Sequence, residues 1–356
     1  MPVGSTPGAA VYSSPALESV HYGPAGELFR GTVHPVPNFN AEKDCEVLRK
    51  AMKGAGTDEA AIVAVVGHRS NDQRQQIKKM FKTMYGKDLL KELKGELSGH
   101  FRELCLALFY ESTYYDAHSL REAMKGAGTR EGVLIEILTT RTNEEIQSIR
   151  EQYKTHIQRD LEKDVTSETS GFFRRVLISC LQANRNELNA QQMQMLKSQG
   201  VNSIIDYELA KKEANELYMA GEKKVGTDEA CFIRIIGLRN IYQLRATFEE
   251  YQKIAKRDIL SSIDREMSGD LRKALKTQAL SAINRPLFFA KQLQKSMKGL
   301  GTNDSALIRI VVSRSEIDLE NIKEEFQKNF GKSLQTWVRD DTSGDYRKLL
   351  EALLGK

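Results

Sequence analysis

Proline is nearly missing from most of this 356-residue chain: six of its seven prolines precede residue 38, and Pro286 stands alone after it. A proline inside a helix costs about 3 kcal/mol, so its scarcity from residue 39 onward leaves that stretch free to be helical throughout. The four cysteines (Cys45, Cys105, Cys180 and Cys231) form no CxxC pair, which excludes a disulfide scaffold and the thiolate zinc sites. Apolar stretches such as Leu104–Phe109 and Val133–Ile137 are broken by charge, far short of the ~18 residues a membrane span needs. The N-terminal residues carry neither a basic region nor an apolar one, so no secretory signal is read and a cytoplasmic protein is expected. Charge of one sign is also lacking: 53 basic residues face 48 acidic ones, a net of +5 with no dense basic block. That balance gives no reason to expect nucleic acid and favours phosphates or anionic lipid weakly.

Catalytic signatures are missing too. The six histidines show no HExxH spacing, and there is no GxSxG elbow or other nucleophile–base pattern. Gly331-Lys332-Ser333 resembles the end of a phosphate-binding loop, but Phe326 occupies the place where that motif needs glycine. Gly86-Lys87 holds the equivalent place earlier in the chain, so both read as helix stops. No enzyme activity is expected.

What the chain does have is repetition. AMKGAGTDEAAIVAVVGHRS (51–70), AMKGAGTREGVLIEILTTRT (123–142), KKVGTDEACFIRIIGLRN (223–240) and SMKGLGTNDSALIRIVVSRS (296–315) are versions of one pattern. With Gly56, Gly128, Gly226 and Gly301 as origins, an apolar stripe follows at +6, +7, +9 and +10, the spacing of one helix face. Arginine returns at +13 (Arg69, Arg141, Arg239, Arg314), and glycine at +43 (Gly99, Gly171, Gly269, Gly344). The origins lie 72, 98 and 75 residues apart, so the extra length falls between the second and third copies. About five short helices fit each copy, too many for a two-helix solenoid unit, and four packed helical domains are expected.

The chemistry lies in two further regularities. Each origin glycine belongs to a Gly-x-Gly-Thr or Val-Gly-Thr turn between helices, where glycine lets carbonyls turn toward one point. Thr57 and its counterparts are expected to cap the helix that follows. Forty residues after each origin comes an acid: Glu96, Glu168, Glu266 or Asp341. One such acid would read as complementing the dipole of the fifth helix. Four in fixed register suggest that the acid and the turn meet. Carbonyls plus one bidentate carboxylate suit Ca²⁺, which takes about six to eight oxygens in flexible geometry. Such a shell is incomplete and net positive, open to a phosphate oxygen from an anionic headgroup. No acid-rich D-x-D-x-D-G loop is present.

These residues resemble the annexin family over roughly residues 39–356, through K-G-x-G-T with the acid forty positions on. The resemblance implies a curved disc of four five-helix repeats, with calcium on its convex face and reversible binding to acidic phospholipid. It implies carbonyl ligands at Met52, Gly54 and Gly56 with Glu96, at Met124, Gly126 and Gly128 with Glu168, and at Met297, Gly299 and Gly301 with Asp341. The third copy departs (AGEKKVGT), and there the family pattern implies Gly221, Lys224 and Gly226 with Glu266. From the residues alone that site ranks lower, because Lys224 replaces a permissive glycine. The family also suggests secondary calcium positions pairing Thr57 with Glu59, Thr129 with Glu131, Thr227 with Glu229 and Thr302 with Asp304. The competing reading of these acids, in the first turn of a helix, is dipole stabilisation.

Lipid contact is expected from the loop tips Ala55, Ala127, Val225 and Leu300 and from the flanking Lys53, Lys125 and Lys298. The expected organisation is a flexible leader (1–38), repeat 1 (39–111), repeat 2 (112–184), an extended connector (185–203), repeat 3 (204–282) and repeat 4 (283–356). The connector's Leu188, Met193, Met195 and Leu196 make it either a strap across the molecule or a homodimer surface. Asp44 and Asp116, each 25 residues before an Arg of the +13 set, are expected to pair with Arg69 and Arg141. The expected function is calcium-dependent, reversible, peripheral binding to phosphatidylserine-like membranes. Its alternatives are a helical protein-binding scaffold and an ion-conducting annexin. Export without a signal peptide stays open.

Overall fold

The computed structural model describes residues 22–23, 26–54 and 56–355. The described residues form 20 α-helices and a single β-bridge between Tyr22 and Leu28. Repeat 1 consists of α1 (Ala41–Ala51), α2 (Glu59–Val66), α3 (Asn71–Tyr85), α4 (Leu89–Glu96) and α5 (Gly99–Phe109). Repeat 2 follows with α6 (Ser112–Ala123), α7 (Glu131–Thr140), α8 (Asn143–Gln152), α9 (Leu161–Glu168) and α10 (Gly171–Leu181). The connector forms α11 (Ala190–Gln199). Repeat 3 contains α12 (Tyr207–Ala220), α13 (Glu229–Leu238), α14 (Ile241–Ala255) and α15 (Ile259–Glu266). The long α16 (Gly269–Met297) breaks at Asn284 (φ −159°, ψ 90°), so its first half closes repeat 3 and its second half opens repeat 4. Pro286 causes the break, and the Asn284 side chain accepts from the Leu287 N–H to cap the second half. Then come α17 (Asp304–Arg314), α18 (Leu319–Phe330), α19 (Leu334–Asp341) and α20 (Gly344–Leu354).

Local chemistry sets these boundaries. Ser70 with Gln73 and Thr142 with Glu145 form capping boxes that start α3 and α8. Thirty residues after each origin the chain turns left-handed, at Gly86 (φ 65°), Gln158 (58°), Lys256 (54°) and Gly331 (76°). Gly86 and Gly331 are the C-caps of α3 and α18, the role of helix stop read from the sequence.

The apolar stripes form the cores: Ile62, Leu134, Phe232 and Leu307 are fully buried. Truncating any of them to alanine would cost about 2–5 kcal/mol. Repeats 1 and 4 share one continuous core, while Ile135 and Val176 of repeat 2 join the core of repeat 3. The two pairs meet across a buried ion pair, with Arg309 of repeat 4 donating two 2.8 Å hydrogen bonds to Glu136 of repeat 2.

Each +13 arginine finds an acid. Arg69 grips Asp44 (2.6 and 2.9 Å) and Arg141 grips Asp116 (2.7 and 3.0 Å), the two pairs expected. In repeat 3 the partner is Glu213, one residue before Ala214, and in repeat 4 Arg314 forks onto Asp318.

The leader differs from expectation. Most of residues 1–25 lie outside the described residues, but the segment from Leu28 to Val36 is docked rather than loose. Thr32 and Val33 donate their N–H groups to the Ser315 carbonyl, and Val36 exchanges two hydrogen bonds with the Gln73 side chain. Phe29 and Val33 are buried, Phe29 beneath the Arg285 guanidinium. The connector is likewise tied down: Leu188, Met193 and Leu196 are buried against Tyr242, with Tyr22 packed alongside.

Candidate metal centres at the four glycine loops

The turn joining the first and second helices of each repeat is closed by one backbone hydrogen bond. Asp58 N–H donates to the Ala51 carbonyl (2.9 Å), Arg130 to Ala123 (2.9 Å), Asp228 to Ala220 (2.8 Å) and Asn303 to Ser296 (2.7 Å). Inside that clasp, Gly54, Gly56, Gly126, Gly128, Gly299 and Gly301 all have φ between 86° and 116°. A Cβ on any of them would touch nothing within 4 Å, so glycine is required here by conformation and not by space.

The clasp in repeat 3 encloses one more residue, which explains why its sequence departs from the others. Only Gly226 (φ 83°) adopts the left-handed conformation there, and Lys224 is not among the positive-φ residues. Gly221 replaces the buried methionine of the other copies (Met52, Met124, Met297), and the larger Phe232 fills the space. A Cβ on Gly221 would lie 3.3 Å from the Phe232 ring and 3.4 Å from Glu266 Cγ. Glu222 anchors this loop: it accepts from Arg257 (2.6 Å) and Ser262 (3.1 Å). The Gly221 carbonyl also accepts from the Lys224 N–H at 2.9 Å.

The fourth helix of every repeat ends on the +40 acid: α4 on Glu96, α9 on Glu168, α15 on Glu266 and α19 on Asp341. A carboxylate there faces the negative end of the helix dipole, an arrangement that local stability alone would not select. This differs from the alternative reading of a helix-start acid. Each carboxylate meets the threonine of its loop: Thr57 Oγ1 to Glu96 3.3 Å, Thr129 to Glu168 2.7 Å, Thr227 to Glu266 2.9 Å and Thr302 to Asp341 2.5 Å.

The threonines therefore do not cap the following helix, as the sequence led us to expect. The N-cap is the next residue, with Asp58, Asp228 and Asn303 accepting from the third residue on. Arg130 holds that place in repeat 2 without a side-chain capping bond, its guanidinium donating to the Glu122 carbonyl instead. The helix starts one residue later than a threonine cap would require, and each threonine hydroxyl instead donates to the distant acid. The signal was present in the sequence as a threonine-to-acid separation of 39 in all four copies.

Among the described residues no three His, Cys, Asp or Glu side chains gather into a cluster. Each loop is served by one distant carboxylate, and a cation there would draw its remaining ligands from backbone carbonyls and solvent. Glu59, Glu131, Glu229 and Asp304 each open a helix, where their charge favours the dipole. Asp304 is also engaged by His100 of repeat 1, at 3.2 Å. At the loop tips Val225 and Leu300 are 104% and 108% exposed, whereas the next most exposed large apolar residue among the described residues, Leu28, reaches 60%. Ala127, Lys53, Lys125 and Lys298 are exposed beside them. Ala55 lies outside the described residues.

A sequence profile described as Annexin matches residues 43–108, 115–180, 212–277 and 288–353. The chain is 55% identical over 330 residues to human (Homo sapiens) annexin A7, a match that covers 93% of this chain but 65% of that relative. It is 46% identical over 325 residues to Mus musculus annexin A4, covering 91% of this chain and 98% of the relative. Among solved structures, calcium-bound annexin (Sm)1 superimposes with a TM-score of 0.88 at 40% identity, covering 97% of this chain and 98% of that one.

Proposed function

The chain belongs to the annexin family, and from that premise we propose that it binds acidic phospholipid membranes reversibly through calcium. In this reading the carbonyls of Met52, Gly54 and Gly56 with Glu96 hold one ion, and Met124, Gly126 and Gly128 with Glu168 hold a second. Met297, Gly299 and Gly301 with Asp341 hold a third. Gly221, Lys224 and Gly226 with Glu266 hold a fourth, the weakest, because the Gly221 carbonyl already accepts the Lys224 N–H. Calcium supplies a hard positive centre whose open positions accept a lipid phosphate oxygen.

One observation carries the reading: in every repeat an acid placed against its own helix dipole is brought onto the threonine of a carbonyl-rich loop. One carboxylate leaves each site net positive, so calcium and anionic headgroup should each strengthen the binding of the other. Several such loops acting together would add through effective concentration. Val225 and Leu300 would enter the interfacial region, with Lys53, Lys125 and Lys298 against phosphates. The acids at Glu59, Glu131, Glu229 and Asp304 stabilise helix starts and are not needed for the main sites.

No helix among the described residues is long and apolar enough to cross a membrane, and a peripheral, calcium-recruited cytoplasmic protein fits this reading. A homodimer through residues 185–203 is not part of it, since Leu188, Met193 and Leu196 are buried within the chain.

The test is co-sedimentation with phosphatidylserine vesicles in calcium and then in chelator. Pelleting in calcium and release by chelator is the expected result. Equal pelleting in both would favour the protein-binding scaffold instead.

A further inference from the structure

Far from the glycine loops, a cavity of about 90 Å³ lies where repeat 2, repeat 3 and the kinked α16 meet. Tyr242, Gln278 and Ser281 line it, and all three are more than nine-tenths buried. Each carries a polar atom without a hydrogen-bond partner: Tyr242 Oη, Gln278 Oε1 and Ser281 Oγ. Among the described residues 11 buried side-chain atoms share that condition, and three of the residues that carry them line this one space. A buried polar atom left unpaired is costly, so their convergence points to an occupant.

The lining indicates its chemistry. Donors dominate: the unpaired hydroxyls of Tyr242 and Ser281, and the guanidinium groups of Arg141, Arg185 and Arg285. The N-terminal ends of α8 and α14, capped by Thr142 and Asn240, also open onto the space and add positive potential. Glu187 is the one acid in the wall, and its carboxylate already accepts the Asn143 N–H at 2.8 Å. Arg141 is taken by Asp116 and Arg285 lies 3.3 Å from Asp318. Arg185 donates to the Arg239 carbonyl at 2.9 Å, and among the described residues no carboxylate lies within ion-pair distance of it. Burial pulls its guanidinium below the ordinary value, against the opposing pull of Cys180 and Glu187. Turning the Gln278 amide over would let the Cys180 thiol donate to its oxygen and present the NH₂ group to the cavity.

We propose that this cavity binds a small tetrahedral oxyanion of the inorganic-phosphate type, held by Arg185 and the hydroxyls of Tyr242 and Ser281. The space is large enough for one such ion. The site is separate from the glycine loops: it borders Thr139–Thr142 at the far end of α7, a helix length of about 15 Å from the loop where α7 begins. Its occupant is therefore free anion rather than the phosphate of a lipid engaged by those loops.

The test uses the full chain in chelator, without membranes. Inorganic phosphate should raise the melting temperature above that in sodium chloride of equal ionic strength and give a saturable calorimetric titration. The double variant Tyr242→Phe with Ser281→Ala should melt at or above the wild-type temperature in chloride, since it removes only unpaired hydroxyls, yet bind phosphate about tenfold more weakly. Arg185→Gln should weaken phosphate binding at least as much. Both variants should keep calcium-dependent vesicle binding, so failure here is separable from failure of the membrane reading. Phosphate acting no better than chloride would mean that water satisfies these atoms, and would overturn the proposal. Equal phosphate binding by wild type and variants, or variant-sensitive capture by phosphatidylserine vesicles in chelator, would overturn it as well.

Discussion

Thr129 Oγ1 lies 2.7 Å from the carboxylate of Glu168, the last residue of α9. The acid thus sits where the helix dipole is least welcoming, and its value must come from what it meets across the turn. Glu168→Gln keeps a hydrogen-bond acceptor for Thr129 and removes the unfavourable charge. In chelator the variant should be as stable as wild type or more stable by about 0.3–1 kcal/mol, measured by urea denaturation. In calcium it should need more of the ion for half-maximal vesicle binding. Glu96→Gln and Asp341→Asn should do the same. A variant that loses stability without calcium, or binds membranes at the wild-type calcium concentration, would count against the ligand assignment.

Two glycines four residues apart should respond to alanine with opposite signs. Gly128 has φ 86° and open space around it, so Gly128→Ala imposes backbone strain alone, about 1–2 kcal/mol, and turns the loop carbonyl away. Gly132 lies inside α7 with equally open surroundings, and Gly132→Ala should stabilise by about 0.5–1 kcal/mol. Thermal melts of both variants, followed by calcium titrations, check the pair. Only Gly128→Ala should raise the calcium requirement.

Acid should weaken the molecule partly through Asp318, which is fully buried. Burial alone would raise its carboxyl, but Arg314 and Arg285 outweigh that and hold it below the usual carboxylate range. A depressed folded-state value means the contribution is complete above the unfolded value of about 3.9 and fades as pH falls toward the folded one. Asp318→Asn leaves two arginines without their acid and should cost about 3–5 kcal/mol at neutral pH. That deficit should shrink once the pH drops below about 4. Urea denaturation of both proteins across the acid range measures it, and a deficit independent of pH would refute the linkage.

The sequence revealed what depends on periodicity. Ile62, Leu134, Phe232 and Leu307 recur in register because each must fill the same gap in a five-helix unit, and the pairs Asp44–Arg69 and Asp116–Arg141 follow from one fixed spacing. Contacts made to backbone were illegible: Thr32 and Val33 dock on the Ser315 carbonyl, which no side-chain pattern announces. In repeat 3 the extra loop residue was visible only as a departure, because its accommodation depends on Phe232 growing as Gly221 shrinks and on Arg257 reaching Glu222. Capping is a local rule, so it points to Thr57, whereas the helix begins at the next residue and the Thr57 hydroxyl donates to an acid 39 residues away. The central ion pair leaves a trace in the sequence: position +8 from the origin glycine is Glu136 in repeat 2 and Arg309 in repeat 4.

That pair yields the last prediction. Glu136 and Arg309 are 3% and 5% exposed, and each is the other's bidentate partner across the centre of the molecule. Desolvating two charges consumes most of what their attraction returns, so the pair should add little net stability while making either charge alone intolerable. Arg309→Leu, which leaves Glu136 buried without its partner, should cost about 3–5 kcal/mol, and Glu136→Leu a similar amount. The double variant, with apolar groups facing each other, should recover most of the loss. Urea denaturation of the four proteins closes a double-mutant cycle, with a coupling of several kcal/mol expected. Costs that simply add would mean that the two residues act independently, and that repeats 2 and 4 are held together by the packing around them.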